Sequence, residues 1–197
     1  MKIGLYFGSF NPVHTAHLII ANFVVHNTHL DQIWFVISPQ NPHKQPQSLL
    51  NKYHRKHLID ISIEGENKLR TSTIEFNLPT PSYTIDTLTY LKEKHSNDDF
   101  SLILGSDSFQ NLPRWKNYET LIKQYSIYVY ERPGFDVAEN SNKNVTVLKA
   151  PFLDISSTKI RKMIQEGQSI KFLVPDVVKE EIERNHYYKN LKNPTQQ

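Results

Sequence analysis

The pattern of this chain predicts an α/β fold, a doubly wound and mostly parallel sheet with helices on both faces. Two observations carry that prediction. Short apolar runs of strand type alternate along the chain with longer stretches whose apolar positions recur at helical spacing. The 197 residues, 38% of them hydrophobic, suffice for one α/β domain with a real core and leave a second full domain cramped. We therefore expect residues 1–190 to form one domain and residues 191–197 a polar C-terminal tail.

Taken in order, the apolar run KIGLYF reads as the first strand, and Leu18, Ala21 and Val25 recur helically after a turn, so a helix begins near His14. Ile33–Ile37 is a buried strand, Pro39–Ser48 a polar loop and Leu49–Ile63 a helix. Ser72–Phe76 is expected to be a strand and Thr84–Lys94 a helix, followed by short strands at Phe100–Leu104 and Ser126–Tyr130. After a loop at Asn140–Asn144 comes a strand at Val145–Leu148, and the chain closes with C-terminal helices at Thr158–Gln165 and Pro175–Arg184. There is no internal repeat and no low-complexity tract. In sheets of this kind ligands gather beyond the carboxyl ends of the strands, so motifs that follow strands belong together in space.

Composition narrows the function. A net charge of +3 suits anionic small molecules and is too weak and scattered to call for nucleic acid. The absence of cysteine rules out disulfides, thiolate catalysis and Cys-ligated zinc. No stretch approaches the ~20 apolar residues of a membrane span, and the first apolar run stops at Asn11-Pro12 without a cleavage site. The chain reads as cytoplasmic, with no membrane partner.

Two motifs carry chemistry. In GSFNPVHTAH, Gly8 permits close approach of backbone and ligand, Asn11-Pro12 marks a turn, and the following helix start leaves amides that favour an anion. His14 and His17, three apart, are neighbours on a first helical turn and can converge on one phosphate group. Far downstream, ISSTKIR places Ser156, Ser157 and Thr158 as cap candidates before Ile160, Met163 and Ile164, with Arg161 about one turn in. A guanidinium beside hydroxyls and helix-start amides makes a second polyanion clamp. Each motif alone has a plainer reading, ordinary helix-start histidines in one case and a capped helix with a surface arginine in the other.

Together, GSFNPVHTAH and ISSTKIR resemble the paired motifs of the HxGH-type nucleotidylyltransferases, and the resemblance implies a Rossmann-like fold. Between them stand PHK (Pro42–Lys44), RKHL (Arg55–Leu58), PSYTIDTL (Pro81–Leu88), LGSDS (Leu104–Ser108), LPRW (Leu112–Trp115), ERPG (Glu131–Gly134) and LVP (Leu173–Pro175). Their order is similar to that of the bacterial nicotinate-nucleotide adenylyltransferases and covers nearly the whole chain. Two departures are Ala16, where the family usually has glycine, and Phe7 rather than glycine before Gly8.

The resemblance implies transfer of the adenylyl group of ATP to nicotinate mononucleotide, giving deamido-NAD and pyrophosphate in NAD biosynthesis. It names His14, His17 and Arg161 as catalytic, with Gly8, Ser9, Phe10, Gly105, Asp107, Ile155, Ser156 and Ser157 joining them around ATP. Asn11, Lys44, Tyr83, Thr84, Trp115 and Arg132 are the implied acceptor-binding set. Plainer roles stay open: packing for Trp115, helix capping for Thr84 and Asp107, and solvated charge for Lys44 and Arg132. Near polyphosphate, His17 is expected to act as a cationic donor. His54 and His57 read as surface residues, and Arg55 is a weaker binding candidate.

Magnesium is the expected cofactor, bound mainly through ATP phosphates, because the sequence offers no carboxylate cage and the two histidines lack a third zinc ligand. The alternatives are a nicotinamide mononucleotide adenylyltransferase, an enzyme using another phosphorylated acceptor such as phosphopantetheine, and a non-catalytic nucleotide-binding module. A homo-oligomer is compatible with the sequence, which leaves subunit number open.

Overall fold

The computed structural model describes residues 1–39, 49–137 and 142–189. Its centre is a six-stranded sheet in the order β3-β2-β1-β4-β5-β6. The strands are β1 (Lys2–Gly8), β2 (Gln32–Ile37), β3 (Leu69–Ser72), β4 (Asp99–Gly105), β5 (Ser126–Tyr130) and β6 (Val145–Leu148), and every neighbouring pair is parallel. This is the doubly wound arrangement expected when each strand is followed by a crossover that returns over one face.

Side-chain alternation assigns each strand to two cores at once. Ile3 and Leu5 of β1, Val36 of β2 and Leu102 of β4 face α3 (Thr84–Lys94), which contributes Ile85, Leu88 and Leu91, and α5 (Tyr118–Gln124), which contributes Leu121. Tyr6, Ile33, Phe35 and Ile103 face the opposite layer. There α1 (Thr15–Asn27) contributes Ile20, Ala21 and Val24, and α2 (Lys52–Ser62) contributes Leu58 and Ile59. The same layer takes Ile160 from α6 (Ser157–Gln165) and Val178 and Ile182 from α7 (Asp176–Arg184). The short helix α4 (Ser106–Gln110) caps the end of β4. Among the described residues no helix is long and apolar enough to cross a membrane.

Three expectations need correction. The predicted strand at Ser72–Phe76 lies earlier, at Leu69–Ser72, where it pairs with β2, and Ile74–Asn77 forms a short 3-10 helix instead. Its Glu75 turns inward to meet hydroxyls, which an extended strand would not allow. The helix predicted from Leu49 starts at Lys52 with Asn51 as its cap, and Leu50 N–H donates to the Asn11 side chain instead of continuing a helix. Between β4 and β5 the chain folds into α4, a 3-10 turn at Leu112–Arg114 and α5, none of which the apolar pattern announced. The expected loop at 39–48 lies outside the described residues apart from Pro39, and so does the polar tail, while residues 142–144 of the expected loop at 140–144 are described and turn into β6.

In this order the connections from β1 and β4 diverge to opposite sides, opening a crevice at the carboxyl ends of these two central strands. Gly8 ends one strand and Gly105 the other.

Candidate active site

The turn after β1 is set by an aromatic residue. Phe10 adopts the left-handed region with φ of 45°, uncommon for a bulky side chain, and its ring is 1% exposed. It is held edge-on against Tyr6, Phe35 and His17 at centroid distances of 5.7, 5.3 and 5.0 Å. A β-carbon at position 8 would stand 2.8 Å from that ring, so the glycine makes room for Phe10.

Arg55 of α2 then ties the turn down. It is 1% exposed and donates to the carbonyls of Ser9 at 2.5 Å, Ser38 and Leu50 at 2.9 Å and Pro39 at 3.3 Å. A guanidinium matched by backbone carbonyls braces the loop, which corrects its standing as a binding candidate. His54 and His57 are exposed as expected, and they contact Tyr187 and Glu181.

α1 begins at the floor of the crevice. His14 is its N-cap and His17 lies three residues in, and their rings stack with centroids 3.6 Å apart and planes 22° from parallel. The His14 N–H donates to His17 Nδ1 at 3.2 Å. A nitrogen that accepts uses its lone pair, so this bond employs Nδ1 as a cap of the helix start and leaves Nε2 as the nitrogen that can donate. His14 is 5% exposed, with Nδ1 buried and without a hydrogen-bond partner among the described residues. Burial, aided by the positive charge of Arg132, pushes its pKa from 6.5 down to about 3, so it is neutral at pH 7.

The second motif closes over the first. Ser156 caps α6 by accepting from Lys159 N–H, while Ser157 Oγ donates to the Pro12 carbonyl at 2.9 Å. Arg161, on the first turns of α6, donates to the Asn11 carbonyl at 2.8 Å across a separation of 150 residues. Its guanidinium also reaches Thr158 Oγ1 at 3.4 Å. The starts of α1 and α6 therefore share one wall, joined through the backbone of Asn11 and Pro12.

At the end of β4, Gly105 is the N-cap of α4 and Asp107 sits in its first turn, so the capping role considered for Asp107 belongs to its neighbour. Asp107 Oδ2 pairs with Arg132 at 2.8 Å, and the buried Ser106 hydroxyl accepts the Arg132 backbone N–H at 2.9 Å. A β-carbon on residue 105 would meet Asp107 at 2.6 Å and Arg132 at 2.8 Å, which is why a glycine ends this strand. Across the crevice, Tyr83 caps α3 and Thr84 opens it, beside the half-buried Trp115. Lys116 pairs with Asp86 and lies 5.0 Å over the Tyr83 ring.

These elements enclose a cavity of about 630 Å³. Gly8, Ser9, Phe10, Asn11, His14, His17, Tyr83, Thr84, Gly105, Asp107, Trp115, Arg132, Ile155, Ser156, Ser157 and Arg161 all line it. Ala16 lines it too, small enough to leave the helix start open. Lys44 lies outside the described residues. The wall also includes Glu75, Ser82, Arg114 and Lys116, which the sequence did not single out, although Ser82 and Arg114 belong to the recognised PSYTIDTL and LPRW segments. Among the described residues no three His, Cys, Asp or Glu side chains group to hold a metal ion, so these side chains do not fit a protein-built metal cage.

Comparison with known proteins agrees with this geometry. The cytidylyltransferase-like family model matches residues 5–163. The probable nicotinate-nucleotide adenylyltransferase of Cytophaga hutchinsonii is 47% identical over 194 residues, covering 96% of this chain and 100% of its own. That of Flavobacterium psychrophilum is 45% identical over 192 residues with the same coverage. Among solved structures, Plasmodium falciparum nicotinic acid mononucleotide adenylyltransferase complexed with NaAD superposes with a TM-score of 0.83. It has 26% identity and covers 97% of this chain and 99% of that one.

Proposed function

The chain belongs to the cytidylyltransferase-like family, and on that premise we propose that it is a nicotinate-nucleotide adenylyltransferase. It transfers the adenylyl group of ATP to the phosphate of nicotinate mononucleotide, releasing deamido-NAD and pyrophosphate. The observation that carries this reading is the bond from Arg161 to the Asn11 carbonyl, with Ser157 on Pro12, because it brings two helix starts, an arginine and two histidines around one cavity.

The chemistry asks little of the protein beyond placement. A phosphate monoester has its second pKa near 6, so at neutral pH the nucleophile is already ionised and needs no general base. The task is to align two anions and to stabilise charge on the α-phosphate and the departing pyrophosphate. The starts of α1 and α6 supply positive dipole ends beside the cavity. Arg161 supplies a fixed charge, and His17 donates its Nε2 proton in a hydrogen bond. Each well-aimed donor contributes about 3 kcal/mol to the transition state. On this reading Gly105 and Asp107 lie along the sugar of ATP, and Tyr83, Thr84 and Trp115 receive the pyridine ring, with Asn11 and Arg132 on the acceptor phosphate side. Magnesium bound through the triphosphate oxygens would supply charge neutralisation there. Residues 1–190 act as one catalytic unit in the cytoplasm.

Pyrophosphate release, measured with ATP and either the acid or the amide mononucleotide, tests the reading. Faster turnover of the acid is expected; equal or faster turnover of the amide overturns the acceptor, and no release with either overturns catalysis.

A further inference from the structure

Behind the acceptor side of the cavity lies a carboxylate that no step above uses. Glu75, in the 3-10 helix Ile74–Asn77, is 2% exposed. A carboxylate sealed from water is costly unless hydrogen bonds replace its hydration, and here both oxygens are matched. Oε2 accepts the Ser82 hydroxyl at 2.8 Å, and Oε1 accepts the Thr87 hydroxyl at 2.9 Å.

Those hydroxyls bracket the start of α3. With Tyr83 as N-cap, Ser82 immediately precedes the cap and Thr87, itself 0% exposed, is the fourth helical residue. An apolar pair at these two positions commonly clamps the chain as it runs into a helix and sets its angle. In this protein the clamp is polar, and a neighbouring element supplies its centre. Tyr83 makes no side-chain capping bond, so the usual local means of fixing a helix start is missing here. The intrahelical ladder begins with Asp86 and Thr87, whose N–H groups donate to the Tyr83 carbonyl. The amides of Thr84 and Ile85 precede it and point out of the helix end. Glu75, Ser82, Tyr83 and Thr84 all line the cavity, so the direction of that helix end is the shape of the acceptor wall. Negative charge beside a helix start is itself favourable.

We propose that Glu75 is a positioning residue for the acceptor: joined to Ser82 and Thr87, its carboxylate sets the direction in which the start of α3 meets the pyridine mononucleotide. The inference rests on the assignment of this wall to the acceptor, and it places the effect on acceptor binding, away from ATP.

Initial rates for wild type, Glu75→Leu, Glu75→Gln, Ser82→Ala and Thr87→Val, varying nicotinate mononucleotide and ATP separately, test it. Glu75→Leu is expected to raise the acceptor KM about tenfold or more, since it strands two hydroxyls, while the ATP KM stays within about twofold. Glu75→Gln keeps the reach and one acceptor oxygen and is expected to recover part of the loss. Ser82→Ala and Thr87→Val each remove one arm without changing the core shape, so they decide the matter even if Glu75→Leu fails to fold. An unchanged acceptor KM in both, or equal rises in both KM values, overturns the proposal, because a merely structural role would not separate the two substrates. Wild-type protein that makes no dinucleotide from this pair overturns the acceptor assignment itself, an outcome distinct from active wild type with unaffected variants.

Discussion

The two site histidines differ in what holds them, and the difference predicts different phenotypes. His17 has Nδ1 fixed by the His14 N–H, and in the proposed reaction its other nitrogen donates to the phosphates. His17→Ala is expected to lower kcat by roughly 10²–10³-fold with ATP affinity less affected, by analogy with lost oxyanion donors; near-normal turnover would remove His17 from the mechanism. His14 is sealed, and burial depresses its pKa from 6.5 to about 3. Above about pH 6.5 it is neutral whether the chain is folded or not. As pH falls from there toward 3, the unfolded chain takes up a proton that the folded one refuses, so stability is lost, by up to roughly 1.4 kcal/mol per pH unit. Urea midpoints between pH 3.5 and 7 should therefore fall less steeply for His14→Asn than for wild type; parallel profiles would show that His14 titrates normally.

At the scale of elements, short motifs became supports for one another. Arg55 leaves α2 to collect carbonyls from the turn after β1 and from the end of β2. Arg55→Met keeps the aliphatic stem and strands those carbonyls, which costs roughly 3 kcal/mol. For a chain of this size that is a fall in Tm of roughly 6–12 °C. A melting curve displaced by only a degree or so would mean that solvent satisfies the carbonyls. Elements with strong apolar periodicity were legible beforehand: α3, β5 and β6 occupy the predicted residues Thr84–Lys94, Ser126–Tyr130 and Val145–Leu148. The segment after β3 was not, because Ile74 and Phe76 suggest a strand while Glu75, between them, finds its partners only at the start of α3.

At the scale of the whole molecule, the C-terminal segment seals the layer of α1, α2, α6 and α7. Tyr188 is 4% exposed within that core, and among the described residues its buried hydroxyl has no hydrogen-bond partner. Burial raises the pKa of its phenol, so it stays protonated and carries an unmatched polar group. Tyr188→Phe should raise stability by about 1 kcal/mol, whereas Tyr188→Ala should lower it by about 3–5 kcal/mol through the cavity it leaves. Guanidinium denaturation of the two variants distinguishes these signs, and a loss in Tyr188→Phe would show that the hydroxyl has a partner in solution.

The alternation of strand and helix and the capping residues of α6 were set locally, because periodicity and helix-start chemistry involve residues within a turn or two of one another. Tertiary structure alone decided which polar groups would be sealed: His14 as a neutral base, Arg55 as a brace, Glu75 as a clamp. Burial belongs to the meeting of two elements, and water exclusion turns an ordinary surface charge into a group that must find partners. The order of strands settled the rest, placing Asn11 and Arg161 at one crevice although 150 residues separate them.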